Sequence, residues 1–406
     1  MRAAGLEGLT AVGIADVYKA GRRAATLSRQ PDGIEFAYQA DYLGSGGPAV
    51  ATTLPPTDQP VRTYAGAVPP FFAGLLPEGR RLSSLRRAVK TSADDELSLL
   101  LAVGRDAIGD VQVVPAGEEP IPAEPLVQVE KDWSELRFAD VLADVGVVDL
   151  VALPGVQDKV SARMISVPVG QAGERYLLKV DPPEYPHVVE NEAFFLALAR
   201  EARIETTAAD VVRDADGRPG LLVRRFDRMP QRSGATIALA CEDACQVLNR
   251  WPADKYNLTM EEVIGALADR CPARAVAVRR LYQQICYAWL TGDGDVHAKN
   301  LSILATLEGE WRVAPAYDLP STVPYGDITL ALPLQGRVRG ISRAHLLAFG
   351  AAIGLPDRVA VKVLDDLLVR LADLGDRLRD GALPFPQKAT ADLIAELRHR
   401  RAQASA

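Results

Sequence analysis

The feature that most constrains this chain is a ten-residue stretch, residues 291–300, together with an acidic residue farther along. The stretch reads Thr-Gly-Asp-Gly-Asp-Val-His-Ala-Lys-Asn, so Asp295 and Asn300 stand five positions apart. Asp318 follows eighteen positions after Asn300, directly after Tyr317. Carboxylate and amide oxygens suit Mg²⁺, and the glycines disfavour a helix here. The fold must therefore bring a short irregular loop beside the end of a nearby strand.

The spacing of these residues is typical of a phosphoryl-transfer site. Transfer from ATP needs one carboxylate beside the incoming hydroxyl and oxygen ligands for the Mg²⁺ on the β- and γ-phosphates. In a protein-kinase loop, the catalytic Asp likewise stands five residues before a metal-binding Asn. We therefore predict that Asp295 is the catalytic base and that Asn300 and Asp318 bind Mg²⁺. Asp293 is a rival base, but the step to Asn300 favours Asp295.

Two more side chains of the same loop are candidates for the site. His297 could hold the geometry of the loop, and Lys299 could neutralise charge on the γ-phosphate in the transition state. The alternative for Lys299 is a lysine that faces solvent.

A lone lysine near the end of an apolar strand is the next candidate. Lys179 lies in Tyr-Leu-Leu-Lys-Val, and buried strands rarely tolerate an unpaired lysine. In kinases such a lysine reaches the α- and β-phosphates and is held by a carboxylate of the following helix. Glu192 is the preferred partner and Glu190 the second choice. An edge-strand lysine facing water is the alternative, and the loop residues argue against it.

Two segments around that strand could contact the nucleotide. A glycine-bearing loop, residues 153–159, precedes it, and the backbone N–H groups of such a loop can cradle phosphates, although most such loops are simple turns. Residues 221–226 form a predicted strand that runs into a charged segment, as at the adenine-binding hinge of a kinase. The side chain of Phe226 is equally well explained as a core aromatic.

Composition limits the class of protein. The 406 residues are 48% hydrophobic and 24% charged, which is ordinary for a globular protein of two or three lobes. The net charge of −7 gives no bulk attraction to nucleic acid. No signal peptide is evident, no apolar run approaches the ~20 residues that cross a bilayer, and the cysteines form no CxxC pair. We therefore predict a cytoplasmic protein without a membrane segment.

The pattern along the chain predicts an α+β fold. Hairpin strands are expected within residues 12–38, followed by a helical region at 81–103 and a proline-rich linker at 115–126. A β-rich lobe with one helix follows at 150–230. From residue 242 onward the pattern is helical, with predicted helices at 242–249, 260–269, 274–291, 342–353 and 357–380.

Several separate motifs, in one order, resemble the HipA family of serine/threonine kinase toxins, nearly end to end. The residues that carry the resemblance are Phe72 to Gly79, Val103 to Asp106, Gly155 to Lys159, Arg225 to Arg228, Glu242-Asp243, Asp295 to Asn300 and Tyr317-Asp318. The resemblance implies a two-lobed kinase-like fold with an N-terminal β-rich subdomain (1–115), a kinase N-lobe with the phosphate loop and ATP lysine (116–230) and an all-α C-terminal lobe (231–406).

The resemblance also implies a set of site residues. Asp295 is then the catalytic base, Lys179 the ATP lysine, and Asn300 and Asp318 the Mg²⁺ ligands. The implied nucleotide contacts are Pro154, Gly155, Val156, Gln157, Asp158, Lys159, Lys179, Arg224, Arg225, Phe226, His297, Ala298, Lys299, Asn300, Tyr317 and Asp318.

The family's partners and substrates follow from the same resemblance. The resemblance implies that the partner is a HipB-like helix-turn-helix antitoxin and that DNA is contacted only through that antitoxin. It also implies a protein substrate such as an aminoacyl-tRNA synthetase. The alternatives are an antitoxin-binding corepressor in which catalysis is dispensable, and a small-molecule kinase. One position departs from the family: many members autophosphorylate a serine where this chain has Ala152. Without that serine, we expect the phosphate loop to stay closed over ATP.

Overall fold

A computed structural model describes residues 6, 8–121, 127–129, 132–144, 164–171, 174–182, 184–231 and 235–406. Its first part is a five-stranded antiparallel sheet in the order β4-β3-β2-β1-β5, flanked by short helices. The predicted hairpin strands are confirmed, because alternate residues of β1 to β3 face a buried core. The elements are β1 (Ile14–Lys19), β2 (Arg22–Gln30), β3 (Gly33–Tyr38), α1 (Ala40–Gly44), β4 (Val61–Tyr64), α2 (Pro70–Ala73), α3 (Gly79–Val89), α4 (Glu96–Val103) and β5 (Val111–Pro115).

The predicted helical region at 81–103 consists of two helices. Helix α3 ends where Lys90 adopts a left-handed conformation with φ of 59°. Helix α4 begins at Asp95, whose side chain accepts a hydrogen bond from the backbone N–H of Ser98. A carboxylate in this position satisfies an N–H group that has no partner within the helix, and it interacts favourably with the helix dipole.

The next part is a second five-stranded sheet, in the order β6-β7-β8-β10-β9. Strand β8 pairs with both β7 and β10, so Lys179 near its end is central in the sheet. Helix α6 packs against β9 and β10 and carries Glu192 on its buried side. The elements are β6 (Val127–Val129), α5 (Phe138–Asp144), β7 (Ile165–Gln171), β8 (Glu174–Val180), α6 (Val188–Glu201), β9 (Ala209–Arg213) and β10 (Pro219–Arg224).

The C-terminal part is mainly helical, in agreement with the predicted α+β, two-lobed architecture. It also contains a three-stranded sheet, β13-β14-β15, so this lobe is not all-α as predicted, because residues 241–243, 302–305 and 311–313 pair with one another. Residues 241–243 are therefore a strand and not the start of the predicted helix at 242–249, because they pair with β14. The elements are β11 (Arg228–Pro230), β12 (Thr236–Ala238), β13 (Cys241–Asp243), α7 (Ala244–Val247), α8 (Met260–Arg270), α9 (Arg274–Thr291), β14 (Ser302–Ala305), β15 (Trp311–Val313), α10 (Arg343–Ala352), α11 (Asp357–Arg370), α12 (Leu374–Arg379) and α13 (Gln387–Ser405).

Helix α9 is the central element of the largest core and determines where the loop at 293–300 lies. Its Tyr282, Tyr287 and Trp289 are at most 2% exposed, and burying each such side chain contributes about 1.5–3 kcal/mol. The helix ends at Gly292, whose φ of 75° turns the chain into the loop. A Cβ atom there would lie 2.6 Å from the Val323 side chain, so the turn requires glycine. Across the described ranges, no helix is both long and apolar enough to span a bilayer.

Candidate active site

Four predicted residues, from strand β8, helix α6 and two loops, lie together in the structure. The Lys179 Nζ atom lies 2.7 and 2.9 Å from the two carboxylate oxygens of Glu192. The same Nζ atom lies 3.0 Å from Oδ1 of Asp318, and Asn300 Nδ2 donates to Oδ2 of Asp318 at 2.8 Å. Strand β8, helix α6 and the two loop residues therefore meet at one point. Lys179 has Glu192 as its helix partner and does not face water.

The charges of this group stabilise one another. Burial alone would lower the pKa of Lys179, but the carboxylates of Asp318 and Glu192 outweigh burial and raise it. Complete burial raises the pKa of the Glu192 carboxyl above its ordinary value, although the Lys179 ammonium acts in the opposite direction. Lys179 is therefore a fixed cation at neutral pH, which suits a group that contacts phosphates.

Asn300 and Asp318, the two predicted Mg²⁺ ligands, lie side by side. The Oδ1 atom of Asn300 is buried and accepts no hydrogen bond from the residues that the structure describes. Its Nδ2 atom is bonded to Asp318, so the amide oxygen is oriented away from that bond. Among those residues, no three Asp, Glu, His or Cys side chains form a metal cluster by themselves. Mg²⁺ is commonly bound by one or two protein oxygens, with phosphate oxygens and water as the other ligands. Asn300 and Asp318 fit a site of that kind.

Asp295 is held in place by the loop around it. Only 1% of the residue is exposed. Its backbone N–H donates to Oδ1 of Asp293 at 2.9 Å, and its carbonyl accepts from the N–H of His297 at 2.8 Å. The Tyr256 hydroxyl donates to Oδ1 of Asp295 at 3.2 Å. Asp293 therefore supports the backbone of the loop.

Only 13% of the Lys299 side chain is exposed, so the solvent-facing alternative does not apply. Its Nζ atom lies 2.6 Å from Oδ2 of Asp243 and 3.2 Å from the carbonyl oxygen of Gly74. Burial alone would lower the pKa of Lys299, but Asp243 and Glu78 outweigh burial and raise it. The ammonium group is thus a cation that joins the loop to two other parts of the chain. His297 is also buried, with its ring against another aromatic ring.

The predicted hinge residues differ in where their side chains lie. Arg225 is 6% exposed, and its guanidinium group binds Asp227 and Asp106. Arg224 pairs with Glu174 near the surface. The ring of Phe226 lies 5.5 Å from that of Tyr317, with an interplanar angle of 33°. The side chain of Arg225 therefore stabilises the fold, whereas the Phe226–Tyr317 pair offers an apolar surface.

The site opens into a cavity of about 320 Å³, a suitable size for a small-molecule ligand. Residues of both lobes line it, among them Lys179, Lys299, Phe226, Tyr317 and Asp318. The remaining wall comes from the N-terminal subdomain, and sequence analysis did not predict it. The lining residues from that subdomain are Gly74, Leu75, Leu76, Pro77, Arg81, Val103, Asp106, Ala107 and Ile108. The only signal for this wall was that residues 72–79 and 103–106 form recognisable motifs without an assigned role.

The predicted phosphate loop lies outside the described residues. These residues are Pro154, Gly155, Val156, Gln157, Asp158 and Lys159, together with Ala152. Their contribution to the site stays a prediction.

Comparisons with known proteins cover most of the chain. The profile of the HipA-like C-terminal domain matches residues 151–374, and that of the HipA N-terminal domain matches residues 15–114. A Sinorhizobium fredii protein named "Putative kinase Y4mE" is 30% identical over 82% of this chain and 83% of its own length. The serine/threonine-protein kinase toxin HipA of Shewanella oneidensis is 26% identical over 82% of this chain and 81% of its own length.

A solved structure shares the fold. It is the Shewanella oneidensis complex of HipA, HipB and operator DNA, and one of its chains superposes with a TM-score of 0.74. The match covers 96% of both chains at 20% sequence identity.

Proposed function

The chain belongs to the HipA family, since a family profile covers more than half of it, and we propose that it is a serine/threonine-protein kinase that uses ATP and Mg²⁺. The observation that carries this proposal is the convergence of Lys179, Glu192, Asn300 and Asp318, of which Lys179 and Asp318 line a ligand-sized cavity. Asp295 lies in the same loop as Asn300 and is buried and fixed.

Each residue then has one task. Lys179 binds the α- and β-phosphates and is oriented by Glu192. Asn300 and Asp318 would hold Mg²⁺, which neutralises phosphate charge when bound. The hydroxyl oxygen of the acceptor attacks the γ-phosphorus, the bond from that phosphorus to the bridging oxygen of ADP breaks, and Asp295 accepts the hydroxyl proton. The Phe226–Tyr317 pair packs against the adenine base.

The biological role is proposed from the same relatives. We propose that the kinase is the toxin of a toxin–antitoxin pair with a HipB-like helix-turn-helix antitoxin, as the composition of the related complex suggests. The net charge of −7 fits a protein that reaches DNA only through this partner. The proposed substrate is a cytoplasmic translation component such as an aminoacyl-tRNA synthetase, whose phosphorylation arrests growth.

The decisive test is Asp295→Ala. Transfer of label from γ-labelled ATP to protein should fall about 10²–10⁴-fold, to a residual rate, and growth arrest on expression should disappear, while the folded state persists in circular dichroism. The control is Asp392→Ala, at an exposed position of α13, which should behave as the parent chain. Undiminished transfer in Asp295→Ala would defeat the assignment. Loss of transfer with unchanged growth arrest would instead favour the corepressor alternative, and transfer only to small molecules would favour the small-molecule kinase.

A further inference from the structure

We infer that Tyr256 is a positioning residue for Asp295 and that the N-terminal subdomain stabilises this arrangement through Glu78 and Lys255. The inference rests on the proposed kinase function, in which Asp295 accepts the proton. It assigns a catalytic task to a segment, residues 74–78, that precedes the active-site loop by more than 200 residues.

The direct contact is a hydrogen bond onto the proposed base. Tyr256 lies between the short turn Pro252–Asp254 and helix α8, and its hydroxyl donates to Oδ1 of Asp295 at 3.2 Å. Its ring stands edge-on to His297, with centroids 5.1 Å apart. The Asp295 carboxylate sits on an irregular loop, outside any helix or strand. A donor bound to one carboxylate oxygen fixes the direction of the other, which is what a general base requires.

Lys255 supports the same loop at a second point. Its carbonyl oxygen accepts a hydrogen bond from the backbone N–H of Ala298 at 3.3 Å. Its Nζ atom lies 5.2 Å from the centre of the Tyr256 ring, within cation–π distance. Residues 255 and 256 therefore contact the loop on both sides of His297, one through the backbone and one through a side chain.

The N-terminal subdomain anchors this support. Glu78 Oε2 lies 2.5 Å from Nζ of Lys255, and the Lys255 side chain is only 12% exposed. Four residues earlier, the Gly74 carbonyl accepts a hydrogen bond from Lys299 of the loop. Glu78 also lies 4.0 Å from Lys299, so its one carboxylate faces both lysines. A partly buried pair of this kind is less screened by solvent than a surface pair.

The first experiment removes the hydroxyl alone. Tyr256→Phe keeps the ring and its packing, so a purely structural role predicts no change in activity. The positioning role predicts that kcat falls about tenfold, a loss of roughly 1.4 kcal/mol of transition-state stabilisation, with KM for ATP and the melting temperature unchanged. The matched control is Tyr64→Phe, at a tyrosine that is 65% exposed. An unchanged kcat in Tyr256→Phe would overturn the inference.

A double-mutant cycle separates this inference from the proposed function. If Tyr256 acts only through Asp295, then adding Tyr256→Phe to Asp295→Ala should leave the residual activity unchanged. A further tenfold fall in that background would show that the hydroxyl acts elsewhere and would refute the positioning role. If Asp295→Ala itself keeps full activity, the proposed function fails first. If Asp295→Ala is inactive and Tyr256→Phe is fully active, only the inference fails.

The second experiment tests the anchor. Glu78→Gln and Lys255→Met should each lower kcat about threefold at unchanged KM for ATP, and the double variant should be no worse than Glu78→Gln alone, because both substitutions break the Glu78–Lys255 pair. Variants that melt at a lower temperature but keep the parent kcat would show that the pair is structural only, which contradicts the role given to the N-terminal subdomain.

Discussion

Replacing Arg225 by methionine tests whether this residue of the predicted hinge serves the nucleotide or the fold. Its guanidinium group donates to the two carboxylate oxygens of Asp227 at 3.1 and 2.9 Å and to Oδ1 of Asp106 at 2.8 Å. Asp106 belongs to the N-terminal subdomain, so the side chain joins that subdomain to the sheet that carries Lys179. Methionine keeps much of the volume and removes every donor.

The magnitude follows from what remains after the substitution. Breaking a buried ion pair costs about 3–5 kcal/mol, because the remaining charge is left unpaired. Arg228 still lies 2.7 Å from Asp227 and 2.9 Å from Asp106, so it compensates part of both charges. We therefore expect Arg225→Met to lower the free energy of unfolding by about 3 kcal/mol, the lower end of that range. With an unfolding entropy of about 2.1 cal/mol/K per residue, this lowers Tm by about 4 °C if the whole chain unfolds cooperatively.

The assay combines a thermal melt with a titration of ATP against the folded protein. Arg225→Met should lower Tm by about 4 °C and change the Kd for ATP less than about threefold, because its side chain is turned toward the two carboxylates. The matched control is Arg224→Met, whose pair with Glu174 is 40% and 31% exposed and should contribute at most about 1 kcal/mol. An unchanged Tm with a tenfold weaker Kd would refute the reasoning and return Arg225 to the nucleotide site.

Three further predictions concern stability and modification. Gly294→Ala should destabilise the protein by about 1–3 kcal/mol in urea melts, because a Cβ would lie 2.4 Å from the Thr322 hydroxyl, whereas Gly265→Ala, in open space on α8, should be neutral or stabilising. Burial alone would raise the pKa of Asp227, but Arg225 and Arg228 outweigh burial and lower it from 3.8 to about 2. This shift contributes ~2.5 kcal/mol to the free energy of unfolding above about pH 4, and the contribution is lost as pH falls toward 2. Asp227→Asn should therefore remove this part of the pH dependence of the urea midpoint. Because position 152 is alanine, peptide mass spectrometry after incubation with Mg-ATP should find no stoichiometric phosphate within residues 150–165; finding it would contradict the closed phosphate loop.

The loop at 293–300 and the strand lysine could be predicted because their signals are local. The five-residue step from Asp295 to Asn300 is a property of one loop. Glu192 follows Lys179 by thirteen residues, within reach of one strand and the next helix. Chemistry also limits which partners a buried lysine can have. These features therefore need no knowledge of the rest of the fold.

Helix α13 was not predicted, and its burial explains why. Arg400 is fully buried in it, with its guanidinium group 4.1 Å from the Trp289 ring centre and bonded to the carbonyls of Trp289 and Ile328. A charged residue on the inner face hides the apolar periodicity from which a helix is recognised. The wall that the N-terminal subdomain gives to the cavity was missed for another reason. It depends on contacts such as Gly74 with Lys299, which no local pattern specifies.

Asp318 has a left-handed backbone, with φ of 58°. Asparagine and aspartate tolerate this conformation best among residues with a side chain, and glycine tolerates it freely. Backbone geometry and the proposed metal binding therefore restrict this position independently. A related protein that loses this carboxylate can keep the left-handed backbone without strain by substituting asparagine or glycine. In inactive lineages of this fold, we expect those two residues here far more often than alanine or valine.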